Sequence, residues 1–423
     1  MNLLSLICFF SAMLLVISML RKNTDIFSPS RLFLIIWLIA IGLTELKFSR
    51  LQRHWSEYNW IILLIPLLST LLGMFIVYVI NFEKPLKGLS SIRQVVRDNS
   101  VDSKTLFRYI TFLFIAYIIS YFSIYLIVGY VTMFTKEPDV ARRYWQVFGF
   151  GLFVQAIPAI LFLIVVYFVS TKTRISNKII LSLFFLIAFI TYFFLLQRYY
   201  LIFSIIISVV FLYYSTKKVS KKNILIFFSV LSVLFYWVSS IRLSRYASNF
   251  LYYLSEMKFN IKYSIFTEPY MYVVMNLENF VHAVDKLQRH TFGIYTFDFL
   301  FAITGIKHPL AQYLNLTDFP FLIGGYNTYT MYFIFYRDFN VIGLFLMPLI
   351  LGMVFSGTYY KLRRDPDINT ISMYAVVVFL IIFSFFVPLF SFLHFVFNLS
   401  VIYFVTKIIC YRQKEIHHTL LRI

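Results

Sequence analysis

The stretch IILLIPLLSTLLGMFIVYVI, residues 61–80, runs for twenty residues without a charge. A helix of that length rises about 30 Å, the thickness of a bilayer's hydrocarbon core. Strands of a membrane barrel would alternate polar and apolar residues, and this run does not. In lipid such a backbone satisfies its own polar groups only as a helix. The pattern recurs at 111–128 and 179–196, and apolar residues make up 61% of the 423-residue chain against 13% charged. A soluble domain carries about 25% charged residues. With a mean hydropathy of +0.81, the composition excludes a soluble enzyme and predicts an all-α polytopic membrane protein.

The pattern places about eleven transmembrane helices, near 3–20, 32–46, 59–80, 107–128, 147–170, 179–196, 199–215, 223–240, 341–360, 369–388 and 390–409. The run 179–215 is too long for one crossing, and Gln197–Arg198 offers a polar hairpin tip. The first apolar run lacks a basic residue ahead of it, and Arg21 and Lys22 follow it. That order is the reverse of a secretory signal, so it reads as a retained first span. Placing 81–108 inside gives 23 Lys/Arg on the cytoplasmic side and 15 on the other, 8 of them in the long segment 241–340. Long loops report orientation poorly, so the bias puts 241–340 and the N-terminus outside and the C-terminus inside. The chain then divides into an N-terminal bundle of about eight spans (1–240), one large, partly helical extracytoplasmic loop (241–340), and about three C-terminal spans with a short cytoplasmic tail (341–423).

The net charge of +20 is scattered through many loops. It fits an anionic bilayer surface as partner, not nucleic acid. Cys8 and Cys410 lie in apolar segments and give neither a disulfide framework nor a metal spacing, and no metal or other cofactor is expected. Charges inside the spans are almost absent, which argues against an ion-coupled transporter.

Segment 241–340 holds 8 Lys/Arg, 7 Asp/Glu and 3 of the 7 histidines, with Phe, Tyr, Leu and Ile throughout. Such a segment folds, and lies on or dips into the membrane. Pro269 is placed to begin a helix. From Tyr270 the spacing is helical, with Val273, Leu277, Phe280, Val284 and Leu287 on one stripe. Glu278, His282, Asp285 and Arg289 form another. That second stripe is either the solvated face of an interfacial helix or an active-site wall. In an active site His282 is a base poised near neutral pH.

Arginines gather at the outer side. Arg142 and Arg143 close the loop 129–146, Arg242 and Arg245 stand one turn apart after the eighth span, and Arg289 lies on the polar stripe. Each is either a snorkelling anchor or a planar fork for phosphate. A lipid-linked diphosphate sugar carries its phosphates at this depth. In 324–343, two glycines permit a tight turn, and Asn327, Thr328 and Thr330 are read as helix caps or contacts to sugar hydroxyls. Tyrosine faces such as Tyr329 and Tyr270 suit sugar C–H surfaces.

The stretch GGYNTYTMYFIFYRDFNVIG (324–343), with EPYMYVVMNLENF (268–280) and many spans before them, resembles the O-antigen polymerase (Wzy) family of bacterial envelopes. The resemblance covers most of the chain as architecture: many spans and one large outer loop late in the sequence. Where the family often has Asp-Phe-Gly, this chain has Asp338-Phe339-Asn340. His282 and Gly293 match the family's Arg- or His-x10-Gly spacing in outer loops. The resemblance implies a GT-C-like glycosyltransferase of the bacterial cytoplasmic (inner) membrane. It would join undecaprenyl-diphosphate-linked oligosaccharide repeat units into a surface polysaccharide, with a chain-length regulator and a flippase of the same pathway as partners. Diphosphate is already a good leaving group and needs mainly cationic stabilisation. On this reading His282 is the base, with Glu278 or Asp338 as alternates. Arg142, Arg143, Arg242, Arg245 and Arg289 bind the diphosphate, and Asn327, Tyr329 and Tyr270 bind sugar.

Rival readings stay open. Glu137 and Asp139 form an acidic pair in an early outer loop, as in transferases that use polyprenyl-phosphate sugars. An O-antigen ligase shares the large outer loop and the lipid-diphosphate donor. A lipid-linked oligosaccharide flippase would need a charge-lined cavity between two similar halves, and the spans are too apolar for it. A structural or sensor membrane protein is the remaining class.

Overall fold

The structure is a computed structural model that describes residues 2–21, 24–98, 101–171, 175–217, 219–224, 226, 229, 245–287, 289–313 and 319–420. Among these, eight helices are long and apolar enough to cross a membrane, and Pro29–Thr44 and Ile368–Ile382 are shorter apolar helices. There is no strand among the described residues, only an isolated bridge between Ser49 and Met257. The chain is an all-helical, polytopic membrane protein, as its composition predicts.

Most expected spans appear where the apolar runs place them. The 179–215 run does split at the expected tip, into helices Ile175–Phe193 and Arg198–Ser215, with Leu196 at a positive φ of 58° in the turn. The run 147–170 appears as the span Phe150–Ser170, interrupted by a turn where Phe150–Val154 ends and Ile157–Ser170 begins, with Pro158 in its first turn. Asn398 tends the freed backbone, donating to the Gln155 carbonyl at 2.8 Å and accepting from the Ala159 amide at 3.0 Å. The expected span 223–240 lies outside the described residues.

The chain forms two compact units. One comprises Pro85–Val219, Tyr360–Phe379 and Leu393–Ile423. It is built around Ile157–Ser170, which packs on Ser103–Val128 and Arg198–Ser215. There the short helix Leu89–Asp98 sends Arg93 to the Tyr213 carbonyl, at 3.0 and 2.7 Å from two guanidinium nitrogens. A cation at the carbonyl end of Arg198–Ser215 meets the negative pole of that helix.

The other unit comprises Met1–Lys84, Ser220–Tyr359 and Leu380–Phe392. In it Glu57–Asn81 and Phe333–Arg364 meet backbone to backbone. A Cβ on Gly73 would sit 2.1 Å from the Leu349 carbonyl oxygen, and one on Gly352 would sit 2.0 Å from that of Thr70. Small residues at a crossing are how membrane helices approach so closely. Beside that crossing the Thr70 and Tyr332 hydroxyls are 3.0 Å apart. The long Phe333–Arg364 helix bends at Asn340, where φ is 56° and ψ is −148°.

The centre of this unit is Thr267–Lys286, with 13 of its 20 residues buried. It starts two residues ahead of Pro269, and its Leu277, Phe280 and Val284 are buried as the apolar stripe predicts. A helix buried on nearly every side is core, not a surface strap.

The glycine crossing yields a prediction. Gly352→Ala drives a methyl into backbone, which has no rotamer to move to, and costs about 2–3 kcal/mol. A lower melting temperature in detergent is expected, while Gly357→Ala, inside the same helix with open space around its Cβ, leaves the melt unchanged or raises it slightly.

Candidate functional site

Glu278 is 2% exposed, and a carboxylate so buried requires partners. Lys47 supplies one at 3.1 Å from Oε1, and the Trp55 indole donates to Oε2 at 3.0 Å. Lys47 also bridges to Glu45 at 3.3 Å and lies 5.0 Å from the Trp55 ring centre. Asn2 donates to the other Glu45 oxygen at 2.9 Å. Both partners of Glu278 come from the loop between Pro29–Thr44 and Glu57–Asn81. That loop is strapped to the large loop by the Lys258 amide on Phe48 (2.7 Å) and the Arg50 amide on Glu256 (3.0 Å). Glu278 therefore serves as an anchor, with each oxygen already held by one donor.

His282 follows one turn later and half emerges. Its Nδ1 is buried and has no hydrogen-bond partner among the described residues. Burial, reinforced by the Arg53 and Lys286 charges, holds its imidazole below the ordinary value of 6.5, against an opposing pull from Asp285. Arg53, Lys286 and Arg289 are exposed, and none makes a hydrogen bond or ion pair among the described residues. So the polar stripe is graded: Glu278 is buried, His282 is half-buried, and Asp285 and Arg289 are exposed.

Asp338 is fully buried and holds a turn. Its Oδ1 accepts from the Thr291 hydroxyl and, at 3.3 Å, from the Tyr295 amide, and its Oδ2 accepts from the Thr296 amide at 2.6 Å. The turn it closes contains Phe292 at φ 48° and Gly293 at φ 100°. Only glycine takes the second angle without strain. The neighbouring Arg337 is 3% exposed. Its guanidinium lies 4.8 Å from the ring centres of both Tyr295 and Phe319. Burial pushes the Tyr295 hydroxyl up, and the Arg337 charge draws it back.

His290 caps this end of the site. Its Nδ1 is 3.1 Å from the Tyr336 carbonyl and 3.3 Å from that of Arg337. Carbonyls only accept, so Nδ1 is the donor here, and in the neutral ring that leaves Nε2 as the acceptor. The Tyr336 hydroxyl is shared with Tyr58 and feels the Asp285 charge. Two histidines thus flank one patch, in which Asp285 acts on both His282 and Tyr336.

The remaining expected residues are distributed as follows. The Tyr270 hydroxyl is buried, donating to Gln52 at 2.7 Å and accepting from the Phe48 amide at 3.1 Å. Tyr329 is buried in a ring stack, 3.7 Å from Phe333 and 4.7 Å from Phe321. Asn327 is exposed. Its turn is tied down by Asn279, which donates to the Tyr326 and Thr328 carbonyls at 2.6 and 3.0 Å. Arg142 and Arg143 stand on the short helix Pro138–Tyr144 of the other unit. Arg242 lies outside the described residues, and Arg245 is described only as the backbone that begins Arg245–Leu254. The sequence reading missed Arg53, Lys286 and His290. The signal for His290 was its closeness to the helix end. Arg53 offered none, because only contacts between distant segments, such as Glu278 with Trp55 and Tyr270 with Gln52, bring it to His282.

No protein-family model, curated protein or solved structure matches this chain.

Two predictions follow from this geometry. Glu278→Gln strands Lys47 as a half-paired buried charge and lowers stability by about 3 kcal/mol. The triple variant Lys47→Met, Glu45→Gln, Glu278→Gln, which leaves no buried charge of this cluster unpaired, recovers much of that loss in a melt, which removal of a purely catalytic group would not allow. Asn340 occupies a backbone region nearly reserved for glycine. Asn340→Gly therefore melts at or above the parent temperature, and Asn340→Ala melts below it by about 1 kcal/mol or more.

Proposed function

We propose that this chain is a membrane glycosyltransferase of the O-antigen polymerase type, which joins undecaprenyl-diphosphate-linked repeat units at the outer face of the bacterial cytoplasmic membrane. The observation that carries the reading is His282, kept neutral beside unpaired Arg53 and Lys286, with Arg289 beyond the helix end. Free cations next to a neutral base match what this transfer needs. The eleven-span topology, the outward large loop and the GT-C-like architecture belong to the same proposal.

In the proposed step the acceptor hydroxyl attacks the anomeric carbon of the growing chain. The bond from that carbon to the diphosphate oxygen breaks, and undecaprenyl diphosphate leaves with the electron pair. Arg53, Lys286 and Arg289 stabilise its charge, and His282 takes the hydroxyl proton. His290, with a bare Nε2, is the alternate base. Glu278 and Asp338 hold the scaffold on which these groups stand. Exposed Asn327 is free to meet a sugar.

The reading is tested by deleting the gene and resolving the surface glycan on a gel. Single repeat units in place of a ladder are expected. Loss of even the single unit from its acceptor would indicate a ligase, and units stranded on the inner leaflet a flippase. Arg53→Ala and Arg289→Ala, at normal protein level, are expected to shorten or abolish the ladder.

The pH dependence has a definite sign. His282 binds its proton less readily folded than unfolded. Its basic form therefore persists below pH 6.5, and the acid limb of the rate profile lies below that value. His282 also contributes stability that is fully present above the unfolded value and is lost as pH falls through the folded one. An acid limb unchanged by His282→Gln would move the base to His290.

A further inference from the structure

We propose that residues 292–306 form a preformed foot that rests in the interfacial layer of the bilayer, next to the His282–His290 patch. The partner is the lipid surface itself, and the placement follows from one helix.

After the bend at Asn340 the Phe333–Arg364 helix runs on to Lys361, Arg363 and Arg364 in its last turn. Residues 341–360 number twenty, about 30 Å of helix. Its Ile342, Leu346, Ile350 and Val354 are exposed on one face, a lipid-facing stripe. One hydrocarbon boundary therefore lies at the basic end, and the other at residues 338–340. The turn 291–296 is fastened at that second boundary. Asp338 accepts its three donors, the Phe292 amide donates to the Asp338 carbonyl at 3.1 Å, and Phe339 lies against Gly293.

What the turn displays there is apolar. Phe292 is 85% exposed, Leu300 51% and Ile303 59%. Phe297 and Ile306 are exposed as well. Phe297, Leu300 and Ile303 recur every third residue, on one side of the short helix Asp298–Ile303. Lys307 pairs with Asp298 at 2.8 Å and bridges this helix to the next. Exposed Arg289 stands at the other end of the segment. Apolar side chains flanked by cations are complementary to acyl chains under anionic headgroups. Phe292 holds a positive φ, which costs strain, and the buried Asp338 fixes that turn with the phenyl ring pointing away from the protein.

The test uses full-length protein with Cys8→Ala and Cys410→Ala, reconstituted in phosphatidylethanolamine–phosphatidylglycerol vesicles. Leu300→Cys, Ile303→Cys and, as a water-facing reference, Asp285→Cys each receive a nitroxide. Collision with oxygen and with a soluble nickel chelate is measured by power saturation. Labels at 300 and 303 are expected to meet oxygen several-fold more than nickel, and the label at 285 the reverse. Nickel-dominated collision at 300 and 303 would overturn the proposal. So would an immobilised spectrum shielded from both reagents, because the foot would then be covered by protein. All three positions are exposed, so the labels leave the fold intact, and the outcome is independent of whether the chain is a polymerase.

Discussion

A carboxylate buried on a helix in an apolar unit has to be neutralised, and the arrangement around Glu278 is the consequence. Lys47 and Trp55 provide the charge and the donor. They lie more than 220 residues away in sequence, so the loop 45–58 must fold against Thr267–Lys286. Once Trp55 is fixed, Arg53 is carried along with it. Once Glu278 is fixed, His282 stands one turn further on the same face. The pairing that satisfies the anchor thereby brings a free guanidinium to the histidine. The Coulomb gain of the pair is small after desolvation, and its main effect is to set register.

The same division of labour holds at the other end of the site. Asp338 gives its oxygens to a turn, Asn279 gives its amide to the 322–328 segment, and Tyr270 gives its hydroxyl to the loop 45–58. Each of these three polar groups binds one chain segment to another. At the rim stand Arg53, Lys286 and Arg289, which make no hydrogen bond or ion pair among the described residues, next to the half-buried His282, whose Nδ1 has no partner there.

The helices were legible in the sequence because lipid enforces a simple rule on length and polarity. The tip at Gln197–Arg198 was visible for the same reason. The break at 155–156 was not, because Pro158 is tolerated in a first turn and the rescuing Asn398 comes from a distant helix. The helical spacing of 270–287 was correct, and so was the burial of Leu277, Phe280 and Val284. Spacing assigns residues to faces, however, and says nothing about what covers a face. Glu278 and Arg289 share a stripe, yet one is deep and the other is open. Arginine counting had the same limit. It weighed Arg142, Arg143, Arg242 and Arg245 by their nearness to spans and could not point to Arg53, which contacts between distant segments bring to His282, because such contacts have no period.

Asn340 shows how a sharp bend is absorbed without glycine. A helix that runs from the loop into the membrane must turn sharply at the boundary, and the backbone angles there suit glycine. Asparagine is the better of the remaining choices, since its side chain accepts from the Val341 amide at 2.7 Å and so caps the renewed helix. That cap offsets part of the strain. Gly343 completes the bend, because a Cβ there would lie 2.3 Å from the Phe335 carbonyl oxygen. The bend lets Asp338 face the turn 291–296 while the helix beyond it presents an apolar stripe. Without it, one straight helix would have to serve both the polar clamp and the lipid with the same face, and no spacing of residues satisfies both.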